Sequence, residues 1–444
     1  MKTKKRSFVI LAVLLIFCGA TAFSVYAFRS LPLKTKASPL ITNRDSIPGK
    51  KGCVFQTVFG IEPSDSNFIY KTPAKEQQSI ATALVWMAKA QSNDGGWGAG
   101  SYYNQGITDP HAVKSDPATT AIVSMALLRC RNTPSTGPYS ANLNKATNFL
   151  ILAVENAPEK SDNITTEQST QPQIKLGTNI DVILTSQYLT NLLDEIDNDR
   201  TLKSRVKNCI DKCIRKIQRS QQANGSFKGS GWAGVLQSSL ANNALETAED
   251  KGINVDAAVL EKSRNFQKGN VNAGTGDVKT DLGAGVMLYS VSSSSRASAK
   301  EAKQAKEKIE EGKKSGRLKA TDTVTAANLQ VVGYSYSQAT KADAAYEVNV
   351  ASKKQALQND VMEGFGSNGG EEFLSYLQTG EGMIVSKDND WKKWYDNISG
   401  RLLKIQNSDG SWNGHHCITS PVFCTATCLL VLSVNNDIEH LLKL

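Results

Sequence analysis

Side chains able to do chemistry are densest in the segment HHCITSPVFC, which begins at His415. The candidates in it are His415, His416, Cys417 and Cys424. Imidazole and thiolate suit zinc, so Cys417, Cys424 and His416 are the candidate metal ligands. A Cys417 nucleophile beside His416, a Cys417–Cys424 disulfide and buried free thiols are the other interpretations. No CxxC spacing is present, and the four interpretations stay open.

Carboxylates form the second candidate group. Glu371 and Glu372 stand together at the start of one predicted helix, and Asp281 stands near the start of another. Carboxylates that face imidazoles across a cavity could act as general acid and base or could hold a metal ion. Glu371 and Glu372 could instead only complement the dipole of their helix. The predicted catalytic set is therefore His415, His416, Glu371, Glu372 and Asp281, provided that the fold brings it together.

Three segments share one template and indicate the elements that position these residues. The segments are AQSNDGGW, SQQANGSF and IQNSDGSW, and their matching Gln, Gly and aromatic positions are Gln91, Gly95 and Trp97, then Gln221, Gly225 and Phe227, then Gln406, Gly410 and Trp412. The Gly permits the left-handed backbone that ends a helix. The Gln amide can bond the free backbone groups of adjoining helix ends. We expect each unit to join an outer helix to the next inner one, with the aromatic ring covering the amide.

These segments resemble the QW motifs of the squalene cyclase and protein prenyltransferase superfamily, the terpenoid cyclase repeat proteins. The resemblance implies an all-α fold, an α/α toroid (α6–α6 barrel) whose inner and outer rings of helices surround a central cavity. The apolar spacing agrees, because it is helical throughout residues 72–440 and accommodates about six hairpins. Inner helices are predicted to begin near Asp116, Asp181, Trp232, Thr280, Glu371 and Thr419, and outer helices to end near Gln91, Glu155, Gln222, Gln267, Asn359 and Gln406.

The known chemistries of this superfamily have no signature in the sequence. Its cyclases use a DxDD acid motif, its prenyltransferase β subunits hold zinc through an Asp-x-Cys pair and a His, and related thioester domains carry Gly-Cys-Gly-Glu-Gln. None of these strings occurs here. The resemblance is therefore closest to exported prenyltransferase-like repeat proteins of unassigned activity. No cofactor is predicted, and zinc is considered only at the C-terminal Cys and His residues.

The N-terminus predicts export. A basic head precedes an apolar run from Phe8 to Phe28, with small residues on both sides of Tyr26, which indicates a signal peptide over residues 1–27. The run is also long enough to span a bilayer, so an uncleaved anchor in contact with the membrane is the alternative. Residues 28–71 are predicted to be an extended linker. The charged segment around 293–342 interrupts the repeats and is predicted to be a surface insertion.

Composition limits the partners and leaves three classes of function. The net charge is +9, but the basic residues form no stripe interleaved with aromatic residues, so nucleic-acid binding is not expected. The leading hypothesis is an apolar, polyisoprenoid-like or peptide ligand in the central cavity. One alternative is a lyase or hydrolase that uses carboxylate and histidine chemistry at the mouth of the toroid. The other is a non-catalytic surface interaction module, and the oligomeric state is not set by the sequence.

Overall fold

Helices account for the regular structure of the chain. The computed structural model describes residues 70–444 except 228, 230 and 367, and these residues form sixteen α-helices and no β-strand. The helices are α1 (Ala74–Lys89), α2 (Pro117–Arg129), α3 (Ser140–Asn156), α4 (Gln171–Lys175), α5 (Ile180–Leu192), α6 (Arg200–Arg219), α7 (Gly234–Asp250), α8 (Ala257–Lys268), α9 (Met287–Lys314), α10 (Ala326–Val331), α11 (Tyr336–Ala356), α12 (Asn359–Met362), α13 (Gly370–Val385), α14 (Trp391–Lys404), α15 (Pro421–Leu432) and α16 (Ile438–Leu441).

Six of these helices form a closed inner ring. Going round it, α2 packs against α5, α5 against α7, α7 against α9, α9 against α13, α13 against α15, and α15 against α2 again. The helices α1, α3, α6, α8, α11 and α14 pack on the outside of this ring. The predicted all-α toroid of six hairpins is therefore confirmed. Five of the six inner helices begin within two residues of the predicted positions.

The inner helices are buried on all sides. Every residue of α13 is buried, and α2, α5, α7 and α15 are buried over nearly their whole length. Small residues permit this close packing. A Cβ on Gly380 would lie 2.6 Å from the Trp394 ring, and one on Gly382 would lie 3.2 Å from the Arg296 backbone. The glycines of α13 therefore set its distance from α14 and α9.

Polar side chains cross the middle of the ring. Ser239 of α7 donates a hydrogen bond of 2.5 Å to Gln378 of α13, although these helices are not neighbours in the ring order. Arg129 of α2 likewise reaches Glu381 of α13 at 2.6 Å. The interior is thus bridged by hydroxyl, amide and charged groups.

A network of buried charges closes the end of the ring where α2, α7 and α13 finish. Glu246 accepts hydrogen bonds from Arg296 at 2.9 Å and from Arg264 at 2.8 Å, and it is 0% exposed. Arg129 joins Glu381 to Asp437. Charges this deep are tolerated only when they are paired.

Each repeat unit ties its turn to two neighbouring helices, as the third unit illustrates. The Gln406 amide donates to the Ser79 carbonyl of α1 at 3.2 Å. The Trp412 indole donates back to the Leu402 carbonyl of its own outer helix at 2.9 Å. The Trp412 backbone N–H donates to the Thr425 hydroxyl of inner helix α15 at 2.9 Å. The Gln thus joins two outer helices, and the aromatic residue makes the link to the inner one.

The Gln amides of the other two units bond neighbouring outer helices in the same way. The Gln91 amide donates to the Asn142 carbonyl of α3 at 2.9 Å, and the Gln221 amide donates to the Val259 carbonyl of α8 at 2.7 Å. All three glycines have left-handed φ angles, of 90° at Gly95, 91° at Gly225 and 95° at Gly410. The turn and the link from an outer helix to the next inner one are therefore as expected, and the aromatic residue makes that link. The Gln amide bonds backbone groups of an adjoining helix, as expected, and that helix is the next outer one.

The segment 293–342 differs from the predicted surface insertion. Residues 293–314 continue inner helix α9, and residues 293–299 are buried in the ring. Their Ser-rich composition was misleading, because the polar side chains meet polar partners inside the ring. Beyond α9 the chain does leave the repeat, and it forms a small apolar cluster of its own. The members of that cluster are Ala305, Ile309, Leu318, Val324, Leu329, Val332 and Ala339.

The N-terminal predictions concern residues that the structure does not describe. The signal peptide or anchor over 1–27, and the linker over 28–71 apart from its last two residues, lie outside the described part of the chain. Within that part, no single helix is long and apolar enough to cross a membrane. Length and composition alone would allow one bent pair, α15 with Val434–Leu441, whose axes differ by 55°.

Candidate active site at the mouth of the ring

The N-terminal ends of the inner helices meet at one end of the ring, which we call the mouth. There the Gln237 amide of α7 donates to Asn179, the residue before α5. The Tyr289 hydroxyl of α9 reaches the first turn of α13. The backbone N–H of Gly370, the first residue of α13, donates to the Ile418 carbonyl in the loop before α15 at 3.0 Å. The polar residues that precede or begin these helices are therefore brought together.

Glu372 lies between a tyrosine and a histidine. The Tyr289 hydroxyl donates to Glu372 Oε1 at 2.7 Å. Glu372 Oε2 lies 3.8 Å from His416 Nε2. Burial raises the pKa of Glu372, and the Tyr289 hydrogen bond and the nearby His416 oppose this rise. The arrangement offers a proton path that runs from a phenol through a carboxyl group to an imidazole.

Glu371 is a buried carboxyl group next to this chain. It is 1% exposed, and its Oε2 accepts a hydrogen bond of 3.2 Å from the Ile418 backbone N–H. Burial, with the neighbouring Glu372 as the second cause, raises the pKa of Glu371 to about 8. The side chain is therefore protonated at neutral pH. A carboxyl group that keeps its proton at pH 7 can serve as a general acid.

Glycines allow the two mouth loops to approach the carboxyl groups. A Cβ on Gly369 would lie 2.9 Å from Glu372 Oε2 and 2.9 Å from the His416 carbonyl oxygen. Gly364 has a φ of 57°, and a Cβ there would lie 2.8 Å from Glu372 Cγ. The His415 backbone N–H donates to the Asn368 carbonyl at 2.7 Å. The loops before α13 and α15 are thus joined, and their glycines place His416 over Glu372.

Three of the five predicted catalytic residues come together, and two do not. Glu371, Glu372 and His416 form the centre just described. His415 is exposed and joins the mouth through its backbone only, among the contacts of the described residues. Asp281 is exposed and lines a separate groove of about 430 Å³ with residues of α8. The reason is that α9 begins at Met287 and not near Thr280, so Tyr289 occupies the place expected for Asp281.

The predicted Cys417–Cys424 disulfide is absent, since all six cysteines in the described part of the chain are free thiols. The Cys424 thiol donates to the Ile418 carbonyl at 3.3 Å, whereas Cys417 has a φ of 59° and interacts with Lys175. Burial raises the pKa of Cys417 to about 12, so its thiol stays protonated. Within the same residues no three His, Cys, Asp or Glu side chains form a group that could hold a metal ion.

Sequence reasoning missed a lysine with aromatic neighbours at the mouth. The Lys175 ammonium lies 4.6 Å from the centre of the Tyr102 ring and 4.4 Å from that of Trp232. Trp232 is 60% exposed, and Phe365, which is 48% exposed, packs edge-on against the His416 ring at 5.2 Å. No local signal marks Lys175, because it lies in a short helix between two hairpins. The aromatic residues that precede inner helices could have been considered.

Comparison with known proteins adds a distant structural similarity. No protein-family model and no curated protein matches the chain. The solved structure of the type II terpene cyclase MstE from Scytonema, without ligand, is similar over 82% of this chain and 98% of its own, with 11% identity and a TM-score of 0.42. A variant of MstE in complex with its product, merosterolic acid A, is similar over 82% of this chain and 97% of its own, with 12% identity and a TM-score of 0.43. Similarities at this level assign no activity.

The raised pKa of Glu371 makes the stability of the fold depend on pH. In the unfolded chain this group ionises near its usual pKa of 4.5, whereas in the folded protein it keeps its proton up to about pH 8. The free energy of unfolding should therefore be highest below about pH 4.5 with respect to this group, and should fall as pH rises to about 8. The loss is as much as roughly 5 kcal/mol.

Glu371→Gln should flatten this pH dependence, because glutamine does not ionise. Urea denaturation of the wild type and the variant at a series of pH values between about 5 and 8.5 measures the difference in slope. Glu347→Gln, at an exposed position of α11, is the matched control and should keep the wild-type slope. Parallel curves for the wild type and Glu371→Gln would show that Glu371 is ionised in the folded state.

Proposed function

We propose that the mouth is the active site of an acid–base enzyme, a lyase or hydrolase. Glu371 is its general acid, and Glu372 with His416 is its general base. The observation that supports this is that the carboxyl groups of Glu371 and Glu372, the Tyr289 hydroxyl and the His416 ring lie together at the mouth. Two adjacent carboxyl groups with different partners are suited to opposite roles in proton transfer. The ends of the inner helices hold both groups rigidly.

The same residues fit both reaction types, and the proton balance distinguishes them. In a lyase, the base takes a proton from carbon, a carbon–carbon double bond forms, and the carbon–oxygen bond breaks as Glu371 protonates the leaving oxygen. In a hydrolase, the base takes a proton from water, the water oxygen bonds to carbon, and Glu371 again protonates the leaving oxygen. Neither reaction needs an oxidant or a reductant.

Exposed aromatic rings supply the surface for a substrate. Trp232, which is 60% exposed, lies against Lys175, and Phe365, which is 48% exposed, lies against His416. Flat aromatic faces with a few polar groups are typical of binding sites for sugar rings and other small organic ligands. A polyisoprenoid or peptide ligand within the ring has less support, because polar bonds such as that between Ser239 and Gln378 cross its interior. An exported enzyme that cleaves polysaccharides agrees with the exposed aromatic rings and with the polar interior of the ring. It also agrees with the basic and apolar N-terminus, which predicts export.

Activity on polysaccharides tests this proposal. The full chain is incubated with acidic and neutral polysaccharides, and cleavage is followed by new reducing ends and by the ultraviolet absorbance of an unsaturated product. Both reactions produce reducing ends, but only a lyase produces the absorbance. We expect the rate to fall as pH rises through about 8, where Glu371 loses its proton.

Variants separate a catalytic role from a structural one. Glu371→Gln and Glu372→Gln should each lower the turnover rate by about a hundredfold or more. Asp281→Asn, in the separate groove, is the matched control and should leave the rate unchanged. The proposal is abandoned if no polysaccharide is cleaved, or if Glu371→Gln cleaves as fast as Asp281→Asn does.

A further inference from the structure

Lys175 differs from the other buried cations of the chain. Four Lys or Arg residues are buried among the described residues, and Lys175 is 4% exposed. Arg296 pairs with Glu246 at 2.9 Å. Lys216 donates to backbone carbonyls, including that of Pro158 at 2.6 Å, and Lys303 donates to the Leu442 carbonyl. Lys175 has no such oxygen partner within hydrogen-bonding distance in the described part of the chain. Two aromatic rings and the Cys417 thiol lie against it, and the Glu371 carboxyl group is close enough to interact with its charge.

A buried cation without an anion is costly unless something compensates for its charge. Cation–π contacts with Tyr102 and Trp232 supply part of this compensation, about 0.5–2 kcal/mol each. A hydrogen-bonded oxygen anion supplies more. The Lys175 carbonyl accepts a hydrogen bond of 2.8 Å from the Ala233 N–H, so the helix that carries Lys175 is held against the start of α7. The Lys175 ammonium is thus held at the mouth. Ala233 directly follows Trp232 in the chain, so the same bond keeps the exposed Trp232 ring near Lys175.

We propose that Lys175 binds a carboxylate group of the substrate, and that Trp232 stacks on the ring that carries this carboxylate. A single ammonium matches the single negative charge of a carboxylate better than the double charge of a phosphate, for which proteins supply several donors. The Glu371 carboxyl group lies close enough to Lys175 to interact with its charge, so a carboxylate bound by Lys175 is placed beside the general acid. The substrate class is a cyclic organic acid, such as a uronate residue of an acidic polysaccharide.

This assignment selects the lyase among the two proposed reactions, and in that respect it rests on the proposed function. A carboxylate neutralised by Lys175 makes the hydrogen on the adjacent carbon more acidic. Glu372 takes that proton, the electron pair forms the carbon–carbon double bond, the bond from carbon to the leaving oxygen breaks, and the leaving oxygen takes up the proton of Glu371. Atoms and charge balance without any further reactant.

Binding measurements on the full chain test the assignment without requiring turnover. The probes for isothermal titration are trigalacturonate, its methyl ester, benzoate and inorganic phosphate. Trigalacturonate should bind, and its uncharged methyl ester should bind about tenfold more weakly or worse. Benzoate, which carries a carboxylate on a ring that is not a sugar, distinguishes a requirement for the charge alone from one for the sugar. Phosphate should not compete at equal concentration.

Variants identify the cation. Lys175→Met should weaken binding of trigalacturonate by about tenfold or more. Lys279→Met, at an exposed lysine of the separate groove, is the matched control and should bind like the wild type. Trp232→Ala is the second test, because its site is exposed and the variant should fold even if Lys175→Met does not. It should weaken binding several-fold.

The outcomes separate this inference from the proposed function. Equal binding of acid and ester, lack of binding by both carboxylates, displacement by phosphate, or full binding by Lys175→Met and Trp232→Ala would each overturn the assignment to Lys175. Carboxylate binding that depends on Lys175 without any cleavage would support the assignment and count against the acid–base enzyme. Cleavage of acidic polysaccharides at the same rate in Lys175→Met as in the wild type would support the enzyme and refute the carboxylate site.

Discussion

Replacing Glu246 by alanine is expected to lower the free energy of unfolding by about 3–5 kcal/mol. Glu246 is fully buried and accepts hydrogen bonds from both Arg264 and Arg296. In the variant, the guanidinium groups of Arg264 and Arg296 stay buried but lose the carboxylate that they bond. The free-energy cost of removing them from water is then no longer offset, so the loss of stability exceeds that of an ordinary hydrogen bond. Urea denaturation followed by circular dichroism measures it.

Two further variants show whether the loss comes from burial. Glu249→Ala removes a carboxylate that lies 3.8 Å from Arg264 and whose side chain is 41% exposed, so it should cost no more than about 1 kcal/mol. Introducing Glu246→Ala into an Arg296→Met background should cost less than in the wild type, because one of the unpaired charges is already gone. Equal losses for Glu246→Ala and Glu249→Ala would mean that the network does not stabilise the fold.

Trp412→Ala should cost a similar amount, about 3–5 kcal/mol. Trp412 is 0% exposed, and its two N–H groups bond Leu402 of α14 and Thr425 of α15. Alanine keeps the backbone bond to Thr425 but leaves a cavity of indole size and removes the indole hydrogen bond to the Leu402 carbonyl. The loss appears in the same urea denaturation measurement. Trp412→Phe should fall between the variant and the wild type, since it fills most of the cavity.

Trp232→Ala is the control for this substitution. Trp232 is 60% exposed and its contact with Lys175 is a cation–π contact, so its removal should lower the free energy of unfolding by no more than about 2 kcal/mol. If Trp412→Ala lowered the free energy of unfolding no more than Trp232→Ala does, the aromatic residue of the repeat unit would not stabilise the fold. The comparison uses the same residue type in both places, so differences in the unfolded state are small.

The sequence predicts the toroid well because its signals are local. A Gln, a Gly and an aromatic residue define each turn within seven positions, and the left-handed φ of Gly410 follows from residue type alone. The start of α9 was missed for a local reason as well. Ala284 and Gly285 both have positive φ angles and delay the helix to Met287. A helix start inferred from Thr280 therefore assigned Asp281 to the mouth in place of Tyr289.

The candidate site was only partly predictable, since it depends on helices far apart in the chain. Glu371, Glu372 and His416 could be selected because polar residues precede or begin inner helices. Nothing in the sequence shows that Tyr289, more than eighty positions before Glu372, donates to it. Lys175 is a similar case, because only the closed ring brings its short helix beside Trp232. Residue types and their spacing do not show which helices far apart in the chain will pack together.

The ring closes where its first helix packs on its last hairpin, and this affects how the protein folds. Helix α1 packs on α15, and the Ser79 hydroxyl donates to the Gln406 amide oxygen at 2.7 Å across 327 residues of chain. During synthesis, α1 therefore emerges long before its partner exists, with the apolar side chains of Ala83, Leu84 and Met87 uncovered. Contacts between residues so far apart in the chain make folding slow and expose the nascent chain to aggregation. The apolar face of α1 is covered only when α15, in the last hairpin to be synthesised, packs against it.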